Sequence, residues 1–168
     1  MDQADRYRQL ALLGKDAFLA TAAPAALVRR RHEDSEDGDL DAPSGERDAE
    51  TQVAAQVTHK RHPGGLEIYP LAKKPGASFP DMITIGRTAN NDVVLRDVTV
   101  SRLHAFFRHR EQRWVLADAG SKNGTSVNGD ALAPRRERDV RSGTPVRIGD
   151  LELTFYTSPD LFDVLGGR

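Results

Sequence analysis

The sequence predicts an all-β sandwich, preceded by an amphipathic helix and an acidic linker. Three observations carry that expectation. From Gly64 onward, short apolar runs recur about every ten residues and are divided by turn residues, the signature of a sandwich of short strands. Before that, from Glu33 to about Val57, almost no large apolar side chain occurs. Such a segment cannot bury enough surface to offset its ordering entropy. At the start of the chain, Tyr7, Leu10, Ala11, Phe18 and Ala22 recur at three- and four-residue steps, the period of a helix with one apolar face.

The elements follow in order. A helix is expected over about Asp5 to Ala22, its stripe widened by Leu13 and Ala17, ended or kinked by Pro24 and followed by the basic cluster Arg29-Arg30-Arg31. Such a stripe is not stable alone and must dock on the domain, a twin or another protein. An acidic linker follows. Leu66 to Tyr69 alternates as a strand, and Lys73 to Phe79 is read as a loop. Strands are then expected at Met82–Ile85, Val93–Leu95, His104–Phe107, Trp114–Leu116, Ser126-Val127, Pro145–Ile148 and Leu151–Phe155. Asn128-Gly129 and Gly149-Asp150 are tight-turn signals. Pro159 to Leu165 is expected to add one helical turn. The resulting division is 1–31 helix with a basic end, 32–62 disordered acidic linker, 63–158 binding domain and 159–168 tail.

Composition excludes several functions. The chain has 168 residues, no cysteine and a mean hydropathy of -0.55. Disulfides, thiolate metal sites and cysteine nucleophiles are therefore absent, and the expected location is the cytoplasm. No run approaches the roughly 18 apolar residues of a membrane-spanning helix, and the Leu10–Val28 stretch lacks the compact apolar core of a signal peptide. The net charge of -1 divides unequally, with -5 in residues 1–52 and +4 in residues 53–168. A mildly basic domain with an acidic arm suits an anionic ligand. That small positive charge, without interleaved stacking aromatics, does not predict nucleic-acid binding.

Polar residues gather in the turns at strand ends. Gly86-Arg87 closes one strand, Ser101-Arg102-Leu103-His104 opens another, and Gly120-Ser121-Lys122-Asn123-Gly124-Thr125 bridges two more. Together they supply cations, hydroxyls and backbone donors, a set suited to a tetrahedral dianion. No carboxylate pair flanks them for acid–base work. Ser101 and His104 lack a nucleophile elbow and a third residue to orient the imidazole. The Gly120–Thr125 loop lacks Walker spacing. His59 and His62 have no acidic partners at metal-ligand spacing. The chain is therefore not expected to be an enzyme, and no metal or cofactor is expected.

These residues also carry a resemblance. Ile85-Gly86-Arg87, Asn91-Asp92-Val93-Val94-Leu95, Ser101 with His104, Asp118, Ser121, Asn123-Gly124-Thr125, Asn128-Gly129 and Val146-x-Ile148-Gly149 occur in the order and spacing of a forkhead-associated (FHA) domain. The likeness spans about Gly64 to Thr157. It implies an eleven-stranded sandwich, with a phosphothreonine-peptide site on the loops at one end and an adaptor role in signal transduction. By position, Arg87 would grip the phosphate, Ser101 would hydrogen-bond it, and Arg102 would add a second cation. Asn123 would hold the peptide backbone. Lys122 stands where other members place a threonine that touches phosphate, and would donate as a flexible point charge. Gly86, His104, Gly124, Thr125, Asn128 and Gly129 would be structural, with His104 pinning two loops.

The implied partner is a Thr-phosphorylated protein, such as a Ser/Thr kinase or its substrate. Thr51, among Glu46, Asp48 and Glu50, is a candidate intramolecular ligand once phosphorylated, because the 13 residues to Gly64 can extend to roughly 40 Å. Oligomerisation through residues 1–31 is the expectation attached to the unpaired stripe. The competing reading is an FHA fold serving as a phosphate-independent scaffold, with the N-terminal helix making the main contact.

Overall fold

The computed structural model describes residues 1–31, 65–77 and 79–168. Among these residues the chain forms two helices, α1 (Gln3–Leu12) and α2 (Lys15–Thr21), then β1 (Ala25–Arg30) and β2 (Leu66–Pro70). β3 (Ile83–Gly86), β4 (Val93–Val94), β5 (Ala105–Arg110), β6 (Arg113–Asp118) and β7 (Thr125–Val127) follow. The chain ends with β8 (Asp130–Ala131), β9 (Arg138–Val140), β10 (Thr144–Ile148), β11 (Leu151–Thr157) and α3 (Ser158–Val164). The strands make a six-stranded sheet in the order β2-β1-β11-β10-β7-β8 and a five-stranded sheet in the order β4-β3-β5-β6-β9.

Alternation of side chains builds the sandwich. In β10, Thr144, Val146 and Ile148 are buried while Pro145 and Arg147 are exposed. The opposite arrangement would put every apolar residue in water, so the register is strongly fixed. Gly149-Asp150 turns β10 into β11, and Asn128-Gly129, with φ of 51° and 82°, turns β7 into β8. Between the sheets lie Leu27, Ile85, Leu95, Phe107, Leu116, Ile148 and Phe155, all at most 1% exposed. Phe107 stacks on Phe155 with ring centroids 5.6 Å apart, and Trp114 meets Phe107 edge-on.

The N-terminal region departs from expectation. The single helix over Asp5–Ala22 is two, broken at Gly14, whose φ of 100° lies outside the helical range. The sequence Ala25-Ala26-Leu27-Val28, assigned to the helical 1–31 unit, is instead a strand between β2 and β11. Both of its faces are buried, so it shows no alternation of apolar and polar residues. Ala25 and Leu27 face the sandwich core, while Ala26 and Val28 face a second core on the outer side of the sheet.

That second core holds Ala4, Tyr7, Ala11, Phe18, Ile68, Leu161 and Phe162. Phe18, fully buried, meets the rings of Tyr7 at 5.8 Å and Phe162 at 5.5 Å. Tyr7, Ala11 and Phe18 of the helical stripe are thus covered within the chain by α3 and the sheet, whereas Leu13, expected to widen it, is 71% exposed. Oligomerisation through residues 1–31 loses the premise of an unpaired stripe, and a boundary after residue 31 would cut through the six-stranded sheet. The 159–168 tail is likewise part of this helical roof. The expected linker, Thr51, His59 and His62 lie outside the described residues. Among the described residues, no helix is long and apolar enough to cross a membrane, and no cluster of three or more potential metal ligands occurs.

Candidate functional site

Antiparallel pairing brings the polar turns to one end of the sandwich. Ile85 is opposite Ala105 and Ala105 opposite Asp118, so the end of β3, the start of β5 and the end of β6 lie side by side. In the other sheet Ile148 is opposite both Thr125 and Leu151, which adds the start of β7 and the β10–β11 turn. Arg87, Ser101, Arg102, Lys122 and Asn123 all stand at this end.

Ser101 joins three of the segments. Its carbonyl accepts from the Arg87 N–H at 3.0 Å, and its Oγ accepts from the Lys122 N–H at 3.0 Å. Its own N–H donates to His104 Nδ1 at 2.9 Å. His104 Nε2 therefore carries the ring proton and donates to the Gly124 carbonyl at 2.8 Å. The ring is fully buried and holds the Ser101 and Gly124 loops together. Because His104 meets the backbone N–H of Ser101 and not its hydroxyl, the two make no nucleophile–base pair.

Asp118 shapes the loop between β6 and β7. One carboxylate oxygen accepts from the N–H groups of Gly120 and Ser121, both at 2.9 Å. The other accepts from the hydroxyls of Ser121 at 2.5 Å and Thr125 at 2.7 Å. Burial alone would raise its pKa, but donation from Ser121, Thr125 and the two backbone groups outweighs burial and holds the carboxyl below its ordinary value. Gly124 completes the turn with a φ of 85°. Gly86 serves a different need, because a Cβ there would lie 2.0 Å from the Arg102 carbonyl oxygen.

Three residues that the sequence pattern leaves without a role prove to be ties. Asn91, buried, donates from Nδ2 to the Arg102 carbonyl at 2.6 Å. Thr99 accepts at its carbonyl from Asn123 Nδ2 at 2.8 Å and at its hydroxyl from the Asp150 N–H at 2.9 Å. Asp92, with a fully buried carboxylate, binds Lys73 at 2.7 Å and the Thr84 N–H at 2.9 Å. Burial pushes the Asp92 pKa up, and these donors more than reverse it. The local Asn-Asp pair signals a turn, but nothing local signals partners so distant in sequence.

Arg87, Arg102, Lys122 and Asn123 are exposed, and Ser101 is half-buried. Among the described residues none of the three cations is held in an ion pair. Exposed cations on loops cross-linked from beneath are chemically suited to an anionic group.

A family model described as the FHA domain matches residues 83–149. The oxoglutarate dehydrogenase inhibitor of Corynebacterium diphtheriae is 43% identical over 102 residues, covering 58% of this chain and 69% of that protein. The glycogen accumulation regulator GarA of Mycobacterium tuberculosis is 34% identical over 125 residues, covering 72% of this chain and 74% of that protein. A solved structure of Mycobacterium tuberculosis EmbR with a low-affinity phosphopeptide is 34% identical, covers 46% of this chain and 20% of that one, and has a TM-score of 0.42. The chain belongs to the FHA-domain family, and the two relatives above are named as an inhibitor and a regulator.

Proposed function

We propose that this chain recruits a Thr-phosphorylated protein in the cytoplasm through Arg87, Ser101, Arg102, Lys122 and Asn123. The observation that carries this assignment of residues is the bonding of Ser101. Its Oγ already accepts the Lys122 N–H, so its own proton is available for a phosphate oxygen. Arg87 offers a guanidinium fork beside it, while Arg102 and Lys122 add positive charge. Asn123 spends an amide N–H on Thr99, which leaves its carbonyl oxygen to accept from the backbone of an extended peptide. The phosphate-independent scaffold reading needs an open N-terminal helical face, and Tyr7, Ala11 and Phe18 of that face are covered by α3 and the sheet.

The test is binding of the full chain to phosphothreonine, phosphoserine and unphosphorylated forms of a peptide library. Selective capture of the phosphothreonine form is expected. Arg87→Ala should weaken it by about 2–5 kcal/mol, the cost of removing a hydrogen-bonded charge partner, without lowering the melting temperature. Binding should also fade as the phosphate protonates below its second pKa of about 6. Equal binding by Arg87→Ala would overturn the assignment.

A further inference from the structure

The turn between β8 and β9 also lies at the recognition end. β9 runs antiparallel to β6, with Arg138 opposite Leu116, so the residues before Arg138 extend past the end of the sheet. Pro134 bridges to Asp118, and the Arg135 N–H donates to the Asp118 carbonyl at 2.7 Å. Ala133 to Arg136 forms a β-turn closed by Arg136 N–H to Ala133 O at 3.2 Å. Pro134 occupies its second position, and Arg135, with a φ of 62°, its third. A turn of this type takes glycine or asparagine at the third position with the least strain, yet an arginine stands there. Arg135 and Arg136 are exposed and make no ion pair among the described residues, while the neighbouring Glu137 is taken up by Arg108.

We infer that Arg135 and Arg136 form a second anion subsite, which reads an acidic side chain on the phosphopeptide about four residues from the phosphothreonine. This rests on the phosphothreonine reading above. β3, β5, β6 and β9 are consecutive neighbours in the sheet. Three steps of about 4.8 Å therefore put the turn about 14 Å from the end of β3 that carries Arg87. An extended peptide advances about 3.4 Å per residue and covers that span in about four residues. Asn123 is on the loop that leaves β6, one of the strands crossed. Asp118 couples the two subsites, because its side chain shapes the loop bearing Asn123 and its backbone holds the Arg135 turn.

The experiment measures affinities of the full chain for one phosphothreonine peptide in an alanine-rich background. An aspartate is placed in turn at each position from five before to five after the phosphothreonine. Affinity should rise about two- to fivefold, as for an exposed ion pair, only with the aspartate three to five residues away on one side. The Arg135→Gly, Arg136→Ala double variant should lose that gain and keep the parent's affinity for the peptide without aspartate. Arg135→Gly alone should melt no lower than the parent, since glycine suits the turn. A preference that survives in the double variant, or its absence in a parent that binds the phosphopeptide, overturns the subsite and leaves the reader intact. Failure to bind any phosphopeptide overturns both.

Discussion

Asp118 offers a quantitative test of how the recognition loop is held. Replacing it by Asn keeps the shape but removes the charge from a carboxylate that accepts four hydrogen bonds. The amide oxygen can still face the Gly120 and Ser121 N–H groups. Its NH2 must then face the hydroxyls of Ser121 and Thr125, which have to turn their protons elsewhere. Thr125 is buried and has little access to water in exchange. Hydrogen bonds to charged groups contribute about 1.5–3 kcal/mol each, against about 1 for neutral ones. With three of the four hydrogen bonds only partly buried, the loss should be about 2–4 kcal/mol at pH 7. Urea denaturation of parent and variant measures it. The folded carboxyl has a lowered pKa, so its contribution is complete above the unfolded value of 3.8 and is lost as pH falls from there through the folded value. The difference should therefore hold from pH 7 to about 5 and shrink toward pH 3. The effects of Asp92 and Asp97, whose pKa values are also lowered, are common to both proteins and cancel. An Asn variant as stable as the parent at pH 7, or a gap undiminished at pH 3, would refute the argument.

Two further outcomes test other parts of the fold. Gly86→Ala would place a methyl 2.0 Å from the Arg102 carbonyl oxygen and 2.6 Å from Asn91 Nδ2. It should destabilise by about 1–3 kcal/mol as overpacking does, and weaken phosphopeptide binding by displacing the segment that carries Ser101; unchanged binding would contradict this packing. Phe18→Ala should cost about 3–5 kcal/mol in denaturant, as for a fully buried aromatic, while the folded variant still binds phosphopeptide. A loss under about 1 kcal/mol would mean that the helical roof adds little to the sandwich.

The parts of the fold that follow local rules were legible in the sequence. Short apolar runs marked β10 and β11, Gly149-Asp150 marked the turn between them, and Asn128-Gly129 marked the turn from β7 to β8. The candidate site was legible as a set of ordered motifs containing Arg87, Ser101 and Asn123, and antiparallel pairing is what brings them to one end of the sandwich. β1 was hidden for a physical reason, since a strand buried on both faces and following a helix shows a plain apolar run. The ties made by Asn91 and Thr99 were hidden for another. Thr99 and Asp150 are 51 residues apart, and a hydroxyl-to-backbone bond over that separation leaves no periodicity to detect.

The place of β1 in chain order bears on what a minimal version of this protein can be. Residues 83–149 carry the family likeness, and a fragment starting near the expected domain boundary would keep all of them. It would also lack the strand that lies between β2 and β11. β11 would become an open edge and β2, already an edge strand, would lose its only partner, each with a row of unanswered amide and carbonyl groups that invites a strand from another molecule. Such a fragment would retain every residue proposed to bind phosphate and be prone to self-association, so oligomers seen with it would report the missing strand and not a property of the native chain.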